Sequence, residues 1–221
     1  LNGYTVVDAV SVLATHLTEL IKQHAAEILG RQEAQNLIDN LAKTNRSLVD
    51  EVVPELLGVG EIQKVLANLL RERVSIRDMA TIMEVLADYA RATKDPEILT
   101  EYVRHAMARQ ITQQVTQGSN SLACITLDPA LENRIVGSIQ RTDHGSYVSL
   151  DPDSMRRMVN SVTNEVEKLA NQGYPAVVLT SPAVRLYFRK LVERSVQGLT
   201  IVSHAEIDQS IEIQIIGVIR I

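Results

Sequence analysis

The chain of 221 residues has no tryptophan, one phenylalanine and one cysteine. Each scarcity excludes a class of function. The lone Cys124 cannot build an internal disulfide framework, and within its apolar run it reads as a small buried hydrophobe. Aromatics at 3% leave no platform on which single-stranded nucleic acid could stack. The net charge of −5 has the wrong sign for a dedicated nucleic-acid binder. No uncharged run is long and apolar enough to cross a bilayer, and no signal peptide opens the chain. Glycine-rich phosphate loops of the G-x-G-x-x-G and G-x-x-x-x-G-K kinds are also missing. The strand–helix turns carry proline instead, which has no amide to offer an anion.

What is present is 45% hydrophobic and 22% charged, an ordinary globular balance for one large or two small domains. At the start, Tyr4-Thr5-Val6-Val7 reads as a strand. The next strand-like run, "SLACITLD", begins only at Ser121. A lone strand cannot satisfy its own backbone. Its partners therefore lie far across the fold or outside this chain. Because the first residue is leucine, the chain reads as a fragment.

From 9 to 117 the pattern is helical. Asp8 is placed to cap a helix running to Leu29, with Val10, Leu13, Leu17, Leu20, Ile21 and Ile28 at core spacing and Gly30 ending it. "RQEAQNLIDNLA" and "SLVDEVVPELL" follow, the second bent or ended by Pro54. "EIQKVLANLLRERV" and "SIRDMATIMEVLADYA" come next, Ser75 capping the latter and Asp78 reaching back. The last helix of the block opens with Asp95 as cap and Pro96 in the first turn. After "QGSN" at 117–120, strands and helices alternate, which predicts an α/β unit with a largely parallel sheet. Asp128-Pro129, Asp151-Pro152 and Ser181-Pro182 repeat the cap-then-proline start, and "TDHGS" reads as a loop. The expected fold class is α + α/β multidomain. A strand remnant occupies 1–10, an all-α subdomain 11–117 and an α/β subdomain 118–221.

Chemistry is sparse. His16 and His24 sit on one helix, about 80° apart around the axis and about 12 Å along it, so one metal ion cannot be held by both. His24, in line with the apolar stripe, reads as a packed, hydrogen-bonded histidine. His105, His144 and His204 are scattered. Ser181 stands where a nucleophile elbow would be, but Leu179 and Ala183 replace the glycines that motif requires, so a plain N-cap is the better reading. Arg185, Arg189, Lys190 and Arg194 share one helix, which reads as a solvated or protein-facing basic ridge rather than a nucleic-acid patch. Arg31 at a helix start opposes the helix dipole and hints at an interface. No catalytic, cofactor-binding or metal-binding residue is assigned. A serine or metal hydrolase is the disfavoured alternative.

Five stretches carry a resemblance: "GYTVVD", "THLTELIKQHAAEILGRQEAQNLID", "VLANLLRERVSIRDMATIMEVLA", "ITQQ" and "PAVVLTSPAVRLYFRKLVER". In this order the chain resembles the cytosolic region of the FlhA family, the large export-gate components of flagellar type III secretion. The virulence injectisome homologues share the layout but tend to lack an arginine at the place of Arg31, which favours the flagellar branch. The resemblance implies a longer protein with an N-terminal membrane part, a linker and four cytosolic subdomains, held at the cytoplasmic side of the bacterial inner membrane. The chain fits as the tail of the split first subdomain, all of the helical third and all of the α/β fourth, so the partners of "GYTVVD" precede Leu1. It also implies a nine-membered ring, export chaperone–substrate complexes and other export-apparatus proteins as partners, no chemical step and no cofactor. The family's chaperone groove reaches this chain only at an edge formed by Tyr4, Thr5 and Val6. The resemblance makes the third subdomain the main ring-forming element, and Arg31, Gln32, Glu33, Arg73, Arg77 and Asp78 are the residues inferred to make its contact.

Overall fold

The computed structural model describes residues 8–142, 145–196 and 198–221. The strand expected at Tyr4–Val7, and with it the groove edge of Tyr4, Thr5 and Val6, lies outside the described residues, as does His144. The chain divides into two compact units between Val103 and Arg104.

The first unit is helical: α1 (Ala9–Ile28), α2 (Arg31–Ala42), α3 (Arg46–Val52), α4 (Val59–Arg71), α5 (Met79–Tyr89) and α6 (Pro96–Ala106), whose last turn belongs to the second unit. Its centre is α4. Ile62, Val65, Leu66 and Leu69 repeat at three- and four-residue steps and are all buried, while Leu70 on the same apolar stripe is only half-buried. Helix α2 packs against α4, and its Ile38 is buried, as are Ile82, Met83 and Leu86 of α5. Pro54 follows the end of α3 rather than bending it.

Two expectations for this unit fail. Helix α5 starts three residues later than Ser75 would place it. Asp78 is its N-cap, accepting from Thr81 N at 3.1 Å, while Ser75 Oγ accepts from Arg77 N at 3.3 Å. An aspartate oxygen directly before the first turn caps it better than a serine three residues upstream. The second failure is α1. Its six stripe residues are all exposed, Val10 at 76% and Ile21 at 52%, and the helix has no buried residue.

The second unit comprises α7 (Ala108–Thr116), β1 (Ser121–Leu127), α8 (Pro129–Gly137), β2 (Ile139–Thr142), β3 (Gly145–Val148), α9 (Pro152–Asn171), β4 (Val177–Thr180), α10 (Pro182–Val192), β5 (Thr200–Ser203), a 3-10 turn (His204–Glu206) and β6 (Glu212–Ile219). Four strands form a sheet in the order β5-β4-β1-β6, every pair parallel. Ile125, Val178, Ile201 and Ile219 on the sheet join Leu131, Met158, Val162 and Phe188 on α8, α9 and α10 in one core. The class is thus mixed α and α/β. The sequence misses β2 and β3, an antiparallel pair that takes Thr142, Gly145 and Ser146 out of the expected loop "TDHGS"; "IQRT" and "GSYV" are mostly polar and lack the apolar run that marks β4. The cap-then-proline starts hold: Asp128 accepts from Ala130 N, Asp151 from Ser154 N and Asp95 from Glu97 N. Ser181 occupies its N-cap position without a side-chain cap bond, and its amide instead donates to Glu132 Oε1 at 2.8 Å.

Candidate interaction surfaces

Among the described residues no group of three or more His, Cys, Asp or Glu side chains is placed to hold a metal ion. His24 is not packed, correcting the expectation from its stripe. Its ring lies exposed on α1, with Nδ1 3.2 Å from Glu27 Oε2. The side of α1 that carries it faces no core, so nothing encloses the imidazole. Burial pushes the Cys124 thiol up to about 11, leaving a neutral thiol rather than a nucleophile near neutrality. A hollow of about 220 Å³ lined by Asp128, Ala130, Leu131, Arg134, Arg220 and Ile221 holds no nucleophile–base pair.

The basic ridge is also corrected. Arg185 is fully buried, turned under the sheet toward Glu206 (Nε to Oε1 3.9 Å) and the Ile201 carbonyl (3.3 Å). Arg104, 2% exposed, meets the same carboxylate at 2.5 Å and the same carbonyl at 3.4 Å. Glu206 Oε2 in turn accepts from Ser203 N at 2.6 Å, closing a capping box on the 3-10 turn. Lys190 donates to the Ser146 carbonyl, and Arg189 pairs with Glu193 at 3.3 Å. The cluster fastens the end of α6, α10 and β5 to one buried carboxylate. A helical wheel could not reveal this, because burial of an arginine depends on a partner from a distant segment.

The six residues inferred for a ring contact are all exposed. Arg31, Gln32 and Glu33 form the first turn of α2. Gly30 and Gly58, the N-caps of α2 and α4, each lie beneath the glutamate three positions on. A Cβ would fall 2.7 Å from Glu33 Oε2 or 2.8 Å from Glu61 Oε2. The Arg31 guanidinium rests on Gly60, 3.1 Å from where a Cβ would stand. The dipole conflict of Arg31 is thus met within the unit, by Glu33 in the same turn. Arg73 holds the left-handed region at φ 58°, where glycine usually ends a helix, and its main chain closes the end of α4 through Arg73 N to Leu70 O and Val74 N to Leu69 O. From there its side chain reaches Glu19 on α1 at 3.3 Å. Asp78 caps α5, and Arg77 lies beside it.

The surface that the sequence misread is the outer face of α1, where Val12 joins the six stripe residues in exposing apolar area. A contiguous exposed apolar face of this kind marks an interaction site. The signal was on the page as an amphipathic stripe, but a stripe does not say whether its cover lies within the chain.

The fold and these surfaces can be set beside known proteins. The model of the FHIPEP family matches residues 1–212. The chain belongs to the FHIPEP family. It is 48% identical over 219 residues to the flagellar biosynthesis protein FlhA of Bacillus subtilis (strain 168), covering 99% of this chain and 32% of that protein. FlhA of Escherichia coli (strain K12) is 38% identical, with 99% and 31% covered. The chain thus spans about a third of the length of these curated FHIPEP relatives. Among solved structures, CdsV of Chlamydia pneumoniae aligns with a TM-score of 0.89 at 34% identity, over 95% of this chain and 60% of that one. A cryo-EM structure of nonameric EPEC SctV-C aligns with a TM-score of 0.82 at 31% identity, over 92% and 61%. The same fold is also seen in the EscV cytosolic domain of a type III secretion system, with a TM-score of 0.78 at 31% identity over 95% of this chain and 61% of that one.

Proposed function

We propose that the chain is the docking and ring-forming cytosolic part of a bacterial flagellar type III protein export gate. It receives chaperone–substrate complexes and helps pass export substrates to the channel, catalysing no reaction. The observation that carries this reading is the 48% identity to a flagellar FlhA over 219 residues. The whole protein sits at the inner membrane through a part outside this chain; no helix among the described residues is long and apolar enough to cross one. Ring formation is supported by nonameric neighbours, and partner docking by a neighbour solved as a complex of CdsV with CdsO. We place the ring contact at Arg31–Glu33 and Arg73–Asp78, where Arg73 stands at φ 58°, a conformation that glycine would hold without strain. We place the chaperone groove edge at Tyr4, Thr5 and Val6 and the subdomain division at 10 and 117. The exposed face of α1 is covered, in this reading, by another part of the same polypeptide, because relatives are about three times as long and a bare stripe of this size does not persist in water.

The test is a chimera. The matching region of Bacillus subtilis FlhA is replaced by this chain, and secreted flagellin is measured in a strain lacking its own FlhA. Secretion is expected. A stably produced chimera that secretes none would sink the reading. In a restoring chimera, Arg73→Gly is expected to lower secretion while leaving the protein level unchanged.

A further inference from the structure

Among the described residues, strand β6 is bonded to a neighbour on one side only. Natural edge strands are protected by shortness, lysine, proline or a covering element. The opposite edge, β5, follows the rule with four residues. The β6 edge breaks it: eight residues, Glu212–Ile219, with neither lysine nor proline. Ile213 and Ile215 point to the same face, opposite Leu122 and Cys124, and are 39% and 60% exposed. A register shift between Cys124 and Ile125 then turns the second half of β6 toward the core, where Ile219 is buried.

Helix α9 runs antiparallel alongside. Ser161 Oγ accepts from Arg220 N at 3.2 Å, and one turn later the Glu165 carboxylate lies where a Cβ of Gly217 would be. A cavity of about 370 Å³ lies along α9 from Ser161 onward, lined wholly by α9 residues: Ser161, Asn164, Glu165, Glu167, Lys168 and Asn171. These residues recur every three or four positions, so they form a polar stripe beside the strand. An open strand edge with a helix laid parallel to it is the geometry by which domains add an extended peptide to a sheet.

We propose that β6 and this stripe of α9 take an extended segment of an unfolded polypeptide as a fifth strand, favouring segments that alternate apolar residues with lysine. Ile213 and Ile215 offer apolar cover at every second position. Lys168 is paired with Glu165, which leaves Glu167 and Glu212 as the carboxylates that make the rim attract cations. A second copy would set the same acidic rim against itself, which disfavours pairing of two β6 edges. Main-chain recognition tolerates many sequences, which suits a platform that meets many exported chains. The choice of an unfolded polypeptide as occupant rests on the export-gate reading, whereas the groove itself does not.

The test uses the 221-residue chain and a fluorescein-labelled peptide of β6's own length, alternating lysine and valine. Binding is followed by anisotropy, and amide hydrogen exchange is read across both edges. The peptide is expected to slow exchange over 212–219 and leave β5 unchanged. Successive amides point to opposite sides of a strand, so one of Gln214→Pro and Ile215→Pro removes an outward donor, and that variant should bind about tenfold more weakly. Should both prolines unfold the chain, Glu167→Lys on the surface remains, with an expected weakening of about threefold. Four results overturn the proposal: free exchange at 212–219 with peptide bound, unaltered affinity in Glu167→Lys, equal affinity for a glutamate–valine peptide, or slowing of 212–219 by protein concentration alone. The measurement needs no secretion, so its failure leaves the export-gate reading standing, and a silent chimera leaves this groove standing.

Discussion

Helices α1 and α9 each have 20 residues and each begin at an aspartate that accepts from the amide three residues on, Asp8 from Ser11 and Asp151 from Ser154. Helix α9 carries more charge, yet buries Met158, Val162 and Leu169 against the sheet. Helix α1 is richer in leucine, isoleucine and valine, yet buries nothing. Local sequence makes both of them helices. A partner surface decides which of them is core. The same contrast holds for charge. The α1 ion pair, Arg73–Glu19, spans 3.3 Å in solvent, while Arg104 and Glu206 meet at 2.5 Å with 2% of each side chain exposed.

The largest expected effect tests that charge contrast. Glu206→Ala leaves Arg104 and Arg185 buried around an empty place and should destabilise the chain by about 3–5 kcal/mol in urea unfolding. Glu19→Ala should leave the unfolding midpoint unchanged within error, since an exposed pair contributes little. Equal effects would break the distinction. Next, Leu169→Ala should cost about 2–5 kcal/mol, whereas Leu17→Ala, exposed at 55%, should change stability by less than about 0.5 kcal/mol. Repeating Leu17→Ala in a full-length FHIPEP protein sharpens the point. If another part of the polypeptide covers α1 there, the cost should rise toward that of Leu169→Ala.

The smallest effect concerns the caps. Hydrogen bonds from the Ser154 side chain and amide, with Arg134 nearby, hold the Asp151 carboxyl at about 2, below its ordinary 3.8. Asp8 is also lowered, by its bonds to Ser11. A carboxylate depressed in the folded state contributes stability above its unfolded pKa and loses it as pH falls through the folded one. Thermal unfolding should therefore show Asp151→Ala below the parent at neutral pH, with the gap closing between about pH 3.8 and 2. Asp8→Ala should fray α1 in circular dichroism without moving the main transition, because α1 carries no core.

Much of the fold was legible because its signals are local. Asp95, Asp128 and Asp151 before proline mark helix starts by a cap and a fixed φ, neither of which needs a distant partner. The Ile62–Leu69 stripe and the Val177–Leu179 run are apolar in sequence and buried in the structure. Ser75 was misread because two polar residues competed for one cap, and His24 because its apolar neighbours were taken for core. Of the proposed interaction surfaces, the turns around Arg31 and Arg73 stood out by charge placement. The edge of β6 did not, since a strand's sequence does not state its place in a sheet.

By itself the sequence determined where helices begin, where strands alternate with them, and which family the chain resembles, because caps, prolines and hydrophobic period act over a few residues. Only the tertiary structure decided that α1 lies bare, that Arg185 turns inward to Glu206, and that β6 stands at the edge. Each of these depends on which distant segment arrives to remove water from a surface, and no short-range pattern encodes that arrival.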